Sequence, residues 1–244
     1  MSSWLHRRDF SDFPRPLNPE PAHLADTARA VVFDLDGTLV ETAGDIHAVL
    51  AEIFVEAGLA APPLPAVRGM IGDGARVLIE RALAAAGTAA DLDRLHARFV
   101  ARYAEEPCRH SRAYDGAHEL LADLRGAGWR LGLCTNKPQA PTEALLEALG
   151  LGTAFDAVIG GDRLPGIRKP DPRHLAAVLA GLAVAPAAAV MVGDSRNDLL
   201  TARALQVPCI LVSFGYTPVP ASELGADAVV DSLRLVPALL ADLA

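Results

Sequence analysis

Two aspartates separated by one residue follow a short apolar run in the first fifth of the chain. Asp34 and Asp36 come directly after Ala30–Phe33, and Gly37 follows them. Because alternate residues of an extended chain point the same way, both carboxylates are expected to project together. One carboxylate can attack phosphorus without a general base, and the other can protonate the leaving oxygen and later activate water. The pair indicates phosphoryl transfer; an Asx-type turn after a strand is the alternative.

Three further polar loops also follow short apolar runs. They supply Thr135 and Asn136, then Lys169, and finally Asp194 and Asp198. Open α/β sheets bind ligands at the carboxyl ends of their strands, so these loops are expected to meet around Asp34. Carboxylates about 4 Å apart repel by about 4 kcal/mol at an effective dielectric of about 20. Lys169 and a magnesium ion would supply the compensating charge, since Mg²⁺ prefers carboxylate and phosphate oxygens.

The elements that must position these loops are short apolar runs alternating with helical patterns. The predicted strands are Ala30–Phe33, Arg130–Cys134, Ala157–Ile159, Ala188–Val192, Cys209–Val212 and Ala228–Val230. The predicted helices between them are Ala117–Ala127, Pro141–Leu149, Pro172–Gly181 and Asp198–Leu205. Continuous apolar strands are typical of a sheet that is buried on both faces. The sequence therefore predicts an α/β fold with a doubly wound, mainly parallel, Rossmann-like sheet.

About a hundred residues separate the first two predicted strands, far more than one βα unit needs. Apolar residues at helical spacing in this gap predict helices over Asp45–Ala57, Ala75–Ala86 and Leu92–Tyr103. We expect a helical cap at 44–113, inserted after the first strand, and a catalytic core formed by 29–43 and 114–244. The proline-containing segment 1–28 is expected to be an irregular extension.

The composition limits the other classes of function. A net charge of −8 gives no sign of a surface for nucleic acid or an anionic membrane. The three cysteines form no C-x-x-C pair, which favours a reducing compartment over a disulfide framework. We expect a cytoplasmic monomer or homodimer that does not bind nucleic acid or a membrane and whose partner is a small phosphorylated substrate.

The four loops together resemble the signature regions of the haloacid dehalogenase-like superfamily, over nearly everything after residue 28. The matching segments are Asp34-Leu35-Asp36-Gly37-Thr38, Thr135-Asn136, Lys169-Pro170 and Gly193-Asp194-(x3)-Asp198. The resemblance implies that Asp34 is the nucleophile and Asp36 the general acid/base. It further implies that Thr135 and Asn136 bind the phosphoryl group and that Lys169 neutralises charge. Magnesium would be bound by Asp34, Asp194 and the Asp36 carbonyl, with Asp198 supporting them.

The resemblance also separates activities within the superfamily. Its dehalogenases lack the second aspartate of the first motif, so Asp36 favours phosphoryl transfer. Its phosphonatases use a lysine of the cap, and residues 44–113 contain no lysine.

The segment Gly69–Ile79 looks like that of phosphoglycolate phosphatases, which predicts 2-phosphoglycolate as the substrate. Gly72 and Gly74 allow close backbone approach before a helix N-terminus, and Arg76 is expected to bind the substrate carboxylate, with Arg68 as a second candidate. A glycine-rich turn with arginines facing solvent is the alternative.

Other functions stay open at this point. A phosphatase of the same type could act on a sugar phosphate, an amino-sugar acid phosphate or pyrophosphate. A phosphosugar mutase uses the same two aspartates, but shields its phosphoenzyme from water. A silent binding protein on this fold is the third class, although every expected catalytic residue is present.

Overall fold

The structure, a computed structural model, describes residues 28–243, so the extension expected at 1–28 lies outside the described residues except for Ala28. The strands are β1 (Ala30–Phe33), β2 (Val40–Glu41), β3 (Arg112–Ala113), β4 (Arg130–Cys134), β5 (Ala157–Ile159), β6 (Ala189–Gly193), β7 (Cys209–Val212) and β8 (Ala228–Val230). The α-helices are α1 (Ala43–Glu56), α2 (Leu64–Arg68), α3 (Ala75–Ala85), α4 (Leu92–Glu105), α5 (Ala117–Gly126), α6 (Gln139–Ala148), α7 (Pro172–Leu182), α8 (Arg196–Ala204), α9 (Ala221–Leu224) and α10 (Val236–Leu243). Among the described residues, no helix has the length and apolar character needed to cross a membrane.

Six strands form one parallel sheet in the order β5-β4-β1-β6-β7-β8. The first strand is central: Phe33 pairs with Leu133 of β4 on one side and with Val192 of β6 on the other. The order reverses direction at β1, which is the topological switch point where open α/β sheets bind ligands. The predicted doubly wound sheet is confirmed.

Helices cover both faces of the sheet, which explains the uninterrupted apolar strands. Phe33 and Leu131 belong to a hydrophobic cluster with residues of α5 and α10. Val32 and Met191 face the other way, into a cluster with residues of α7 and α8. All four residues of β1 are fully buried, because helices cover the side chains that point to either face of the sheet.

Helices α1 to α4 form an insertion between β2 and β3, and we call α1–α4 the helical insertion. It has a hydrophobic cluster of its own, which includes Leu50, Phe54, Ile79 and Phe99. The chain leaves and re-enters the sheet region through two very short strands, because β2 and β3 pair antiparallel over two residues each. The helical insertion therefore has a separate core and a narrow connection.

The loop after β6 is fixed by a capping box at the start of α8. The Ser195 side chain accepts from the backbone of Asp198, and the Asp198 carboxylate accepts from the Ser195 backbone N–H at 3.0 Å. This reciprocal arrangement satisfies donors that a helix start leaves free. It also holds the Asp198 side chain next to Asp194.

Candidate active site

The predicted loops meet at the carboxyl ends of three adjacent strands. Asp34 follows β1, Thr135 follows β4 and Asp194 lies at the end of β6. Asp34, Thr135 and Asp194 are each at most 6% exposed. Because β1 pairs with both β4 and β6, hydrogen-bonded register sets the relative positions of these residues. Lys169 joins them from the loop before α7.

Lys169 is the cation next to the predicted nucleophile. Its Nζ lies 2.8 Å from Asp34 Oδ1 and 2.6 Å from Asp198 Oδ1. Burial would lower the pKa of Lys169, but the carboxylates of Asp198 and Asp34 hold it above its usual value. Lys169 is therefore charged and balances part of the negative charge around Asp34.

The positive charge of Lys169 alone does not keep the pKa of Asp34 at its ordinary value. Burial raises the pKa of Asp34 to about 7; the Asp198 and Asp36 carboxylates act in the same direction, and Lys169 opposes them. The ordinary value for this carboxyl group is 3.8. Without further positive charge, a substantial fraction of Asp34 would be protonated at neutral pH and unable to attack phosphorus.

Asp194 lies in a tight pocket of backbone. Its Oδ2 accepts a hydrogen bond from Tyr216 N at 2.7 Å. A Cβ placed on Gly37 would lie 2.5 Å from this oxygen, and one on Gly215 would lie 2.4 Å from it, so both positions require glycine. Burial, together with the nearby Asp198 and Asp34 carboxylates, raises the pKa of Asp194 well above its usual value.

The acidic residues fit a divalent cation. Ligand atoms of Asp34, Asp194 and Asp198 lie within 4.8 Å of one another, and all three residues are buried. Asp34 Oδ1 is buried and accepts no hydrogen bond of good geometry from the described residues, although Lys169 is near. A hard cation prefers such carboxylate oxygens and would lower the raised carboxyl pKa values.

Asp198 differs from the other two because both its oxygens already have partners. Oδ1 accepts from Lys169 Nζ at 2.6 Å. Oδ2 accepts from the N–H groups of Asp194 and Ser195 at 3.2 and 3.0 Å, and from the Ser195 hydroxyl at 2.7 Å. These contacts suit a residue that holds Lys169 and the Asp194 loop in place.

The Asp36 carboxylate is outside this acidic group and contacts a second lysine. Lys137 Nζ lies 3.3 Å from Asp36 Oδ1 and donates a 2.9 Å hydrogen bond to the hydroxyl of Tyr103 in α4. The same ammonium lies 4.3 Å from the centre of the Tyr103 ring. Burial lowers the pKa of Lys137, but Asp36 and Tyr103 more than offset this and raise it above its usual value.

Asn136 connects the site to the helical insertion. Its Oδ1 accepts from Lys169 N at 2.9 Å, and its Nδ2 donates to the carbonyls of Lys169 and Gly72 at 3.0 and 2.8 Å. Asn197, at the start of α8, donates to Asp73 Oδ1 at 2.7 Å and to the Gly72 carbonyl at 3.3 Å. In this arrangement the Asn136 amide joins the Lys169 backbone to the turn at Gly72.

A cleft of about 600 Å³, part of it open to solvent, lies between the sheet and the helical insertion. The sheet side contributes Asp34, Asp36, Thr135, Asn136, Lys137, Pro138 and Pro141. The helical insertion and its turns contribute Ile46, Ile71, Gly72, Gly74, Ala75, Leu78, Phe99, Val100 and Tyr103. The polar catalytic groups thus face a mostly apolar wall, and this volume suits a small ligand.

The structure does not bring Arg76 to this cleft. Its guanidinium pairs with Asp93 of α4, and 47% of its side chain is exposed. Arg68, the second candidate, lies with its guanidinium carbon 5.0 Å from the centre of the Tyr216 ring and 4.0 Å from the Glu41 carboxylate. The placement corresponds to the alternative of a glycine-rich turn with Arg76 facing solvent, because Asp93 competes for the guanidinium.

Sequence reasoning missed the roles of Lys137, Tyr103, Asn197 and Tyr216. A signal was available for Lys137, which is one of only two lysines in a chain with 22 basic residues, and the other is Lys169. The remaining three residues have no local signal, since each contact joins positions more than twenty residues apart in sequence.

Comparisons with known proteins agree with this geometry. The family model for haloacid dehalogenase-like hydrolases matches residues 28–206. The phosphoglycolate phosphatase of Caulobacter vibrioides is 47% identical over 212 residues, which cover 85% of this chain and 88% of that protein.

Two solved structures have the same architecture. A predicted phosphoglycolate phosphatase from Haemophilus somnus has a TM-score of 0.81 at 27% identity, covering 87% of this chain and 97% of that one. A mutant of CbbY from Rhodobacter sphaeroides, in complex with xylulose-(1,5)bisphosphate, has a TM-score of 0.73 at 26% identity, covering 84% of this chain and 95% of that one. Since the family model covers most of the chain and the Caulobacter protein is nearly half identical to it, the chain belongs to the haloacid dehalogenase-like hydrolase family.

Proposed function

We propose that this enzyme hydrolyses 2-phosphoglycolate to glycolate and phosphate through an aspartyl-phosphate intermediate. The observation that carries the proposal is the position of Asp34, buried at the end of β1 with Lys169 at 2.8 Å and with a cleft in front of it. The chain is a phosphoric monoester hydrolase, and the names of its relatives favour phosphoglycolate among the monoesters.

The first step transfers the phosphoryl group to Asp34. A carboxylate oxygen of Asp34 bonds to phosphorus while the bond from phosphorus to the ester oxygen breaks. Asp36 gives its proton to that leaving oxygen, so that the alcohol departs neutral. Thr135 Oγ1 accepts a hydrogen bond from Lys137 N at 3.2 Å. This contact uses a lone pair of the oxygen, so the hydroxyl proton can be donated to a phosphoryl oxygen.

The second step releases phosphate. Asp36, now ionised, takes a proton from a water molecule that attacks phosphorus, and the bond from phosphorus to Asp34 breaks. Lys169, which is paired with Asp34 and Asp198, offsets charge on the phosphoryl group. Mg²⁺, held by Asp34, Asp194 and the Asp36 carbonyl with Asp198 in support, would neutralise charge on the phosphoryl oxygens when bound.

The helical insertion is proposed to act as a cap over this chemistry, within the bounds 44–113. Its contacts with the sheet side, from Tyr103 to Lys137 and from Gly72 to Asn136, lie at the edge of the cleft. A cap that closes there excludes bulk water while the ester bond breaks. A cytoplasmic location and a monomeric or homodimeric state stay predictions.

The test is a turnover screen of the full chain with added magnesium. The substrates are 2-phosphoglycolate, xylulose 1,5-bisphosphate, glucose 6-phosphate, an amino-sugar acid phosphate and pyrophosphate, with free phosphate as the readout. The highest kcat/KM is expected for 2-phosphoglycolate. A higher value for a sugar phosphate would overturn the substrate and favour the activity suggested by the CbbY complex. Isomerisation of a sugar phosphate without release of phosphate would indicate a mutase.

A further inference from the structure

The substrate carboxylate needs a binding group, and the proposed chemistry limits where that group can stand. In 2-phosphoglycolate the carboxylate carbon is two bonds from the leaving oxygen. Ordinary bond lengths then put the carboxylate oxygens about 2.6–3.6 Å from the leaving oxygen. Asp36 must lie within hydrogen-bond distance of that same oxygen to protonate it. The residue that binds the carboxylate must therefore stand next to Asp36.

Lys137 meets this condition. Its Nζ is 3.3 Å from Asp36 Oδ1, and the residue is 7% exposed. Among the described residues that line the cleft, Lys137 is the one with a cationic side chain. Arg76, which was expected to do this from the sequence, points to Asp93 instead.

The surroundings of Lys137 prepare it for a second anion. The Tyr103 hydroxyl holds the ammonium from the side of the helical insertion at 2.9 Å. An ammonium has three donors, and Tyr103 and Asp36 account for two of them. The opposite wall of the cleft is apolar at Ile71 and Leu78, so it offers a carboxylate no competing cation.

We infer that Lys137 is the residue that selects the carboxylate of the substrate, a role that rests on the proposed phosphatase function. The ammonium binds the carboxylate while Asp36 serves the leaving oxygen beside it. A substrate without a negative charge at this position leaves Lys137 paired with Asp36 alone. Selectivity thus comes from the loop after β4 of the core, not from the arginine at the start of α3.

The experiment compares two esters of equal length in the magnesium-loaded enzyme. They are 2-phosphoglycolate and 2-hydroxyethyl phosphate, in which a hydroxymethyl group replaces the carboxylate. Lys137→Met is expected to lower kcat/KM on both, since Lys137 also touches Asp36, but about ten- to hundredfold more on phosphoglycolate. Lys137→Arg should keep much of the preference. Arg76→Met is the matched control, and its ratio should stay within about twofold of wild type. Equal losses on the two esters for Lys137→Met would overturn the inference.

A binding measurement separates selection from chemistry. Calorimetric titration of glycolate, the product, into the magnesium-loaded enzyme should give a Kd about tenfold or more weaker in Lys137→Met. An unchanged Kd would overturn the inference. If Lys137→Met fails to fold, Lys137→Gln, which can still donate to Tyr103, takes its place in both measurements.

Turnover of the two esters by the wild-type enzyme tests the role of Lys137 separately from the proposed function. Release of phosphate from neither ester would overturn 2-phosphoglycolate as the substrate, which is the function on which the inference rests. Equal kcat/KM on both esters would leave the phosphatase in place and overturn the role of Lys137.

Discussion

The side-chain amide of Asn136 donates a 2.8 Å hydrogen bond to the backbone carbonyl of Gly72, and so joins the loop after β4 to the turn before α3. The same amide group makes two hydrogen bonds to the backbone of Lys169. Asn197 reaches the same turn from the start of α8. The helical insertion is therefore connected through Asn136 to the segment that positions Lys169.

These two asparagines should give different kinetic results. Asn197→Ala removes contacts to the turn alone, so KM should rise about two- to tenfold with little change in kcat. Asn136→Ala also releases the Lys169 backbone, so kcat should fall as well. Steady-state kinetics on 2-phosphoglycolate measure both. Arg196→Ala, at the exposed neighbouring position, is the control and should match wild type. Identical kinetics of the two asparagine variants would contradict the connection.

Asp34→Asn should lower turnover by about a thousandfold or more, because the amide is a poor nucleophile toward phosphorus. The fold should persist, since removing a buried carboxylate among like charges relieves repulsion. Acid-quenched phosphate labelling should detect a phosphoenzyme in wild type and none in this variant. A labelled Asp34→Asn protein would move the nucleophile elsewhere.

Asp36→Asn should slow turnover of phosphoglycolate by about 10²–10⁴-fold, the usual contribution of a general acid/base. With p-nitrophenyl phosphate, whose leaving group needs no proton, the burst of p-nitrophenol should recover much of its rate while steady turnover stays slow. The difference between burst and steady rate identifies the step. Failure of the good leaving group to restore the burst would remove Asp36 from the acid role.

Metal removal should make stability depend on pH in a definite direction. Burial raises the pKa of Asp34 from 3.8 to about 7, so the folded metal-free protein favours the neutral carboxyl. The stabilising effect is complete below about pH 4 and is lost as pH rises through about 7. In chelator, Tm is expected to fall between pH 5 and pH 8. Added magnesium should reduce that fall, because it stabilises the ionised form.

Asp34→Asn provides the control for this pH effect. The variant cannot ionise at this position, so its Tm in chelator should be higher at pH 8 and change less with pH than that of wild type. A wild-type slope in the variant would assign the effect to other groups. Asp194, whose pKa burial also raises, would then be the next candidate.

The Tyr216→Phe variant tests whether the Tyr216 hydroxyl stabilises the segment that leads from β2 into α1. The Tyr216 hydroxyl accepts from the N–H groups of Thr42 and Ala43 at 2.6 and 3.1 Å and donates to Glu41 Oε1 at 2.7 Å. Its loss leaves the buried Thr42 N–H without its acceptor, whereas the Ala43 N–H still donates to Glu41 Oε1 at 3.0 Å. The free energy of unfolding should therefore fall by about 1–3 kcal/mol. Denaturant unfolding measures the change. Glu41→Gln keeps an acceptor for the hydroxyl and should cost less; the reverse order would contradict this assignment.

The strands of the sheet could be predicted from the sequence because they are buried on both faces. The predicted bounds of β1, β4, β5, β7 and β8 agree with the structure, and β6 is displaced by one residue, to Ala189–Gly193. The pair β2–β3 was not predicted, since two residues per strand give no detectable periodicity.

The candidate site was predictable where a residue follows a strand, as Asp34, Thr135 and Asp194 do. It was not predictable where a side chain chooses between distant partners. Arg76 pairs with Asp93, seventeen positions away, only because α3 and α4 pack together. Lys137 stands beside the predicted Thr135 and Asn136, but its place between Asp36 and Tyr103 depends on how the helical insertion folds back.

Because the helical insertion has a narrow connection to the sheet region, it could be exchanged for the corresponding segment of a related enzyme. Exchanging the stretch between β2 and β3 for that of another phosphatase would leave the six-stranded sheet and its catalytic loops untouched. A grafted segment must still meet the recipient at two places, the carbonyl that Asn136 binds and the hydroxyl that Lys137 binds. Chimaeras that keep a tyrosine and a glycine turn at these places should be active on new esters, and chimaeras that lack them should fold but turn over slowly.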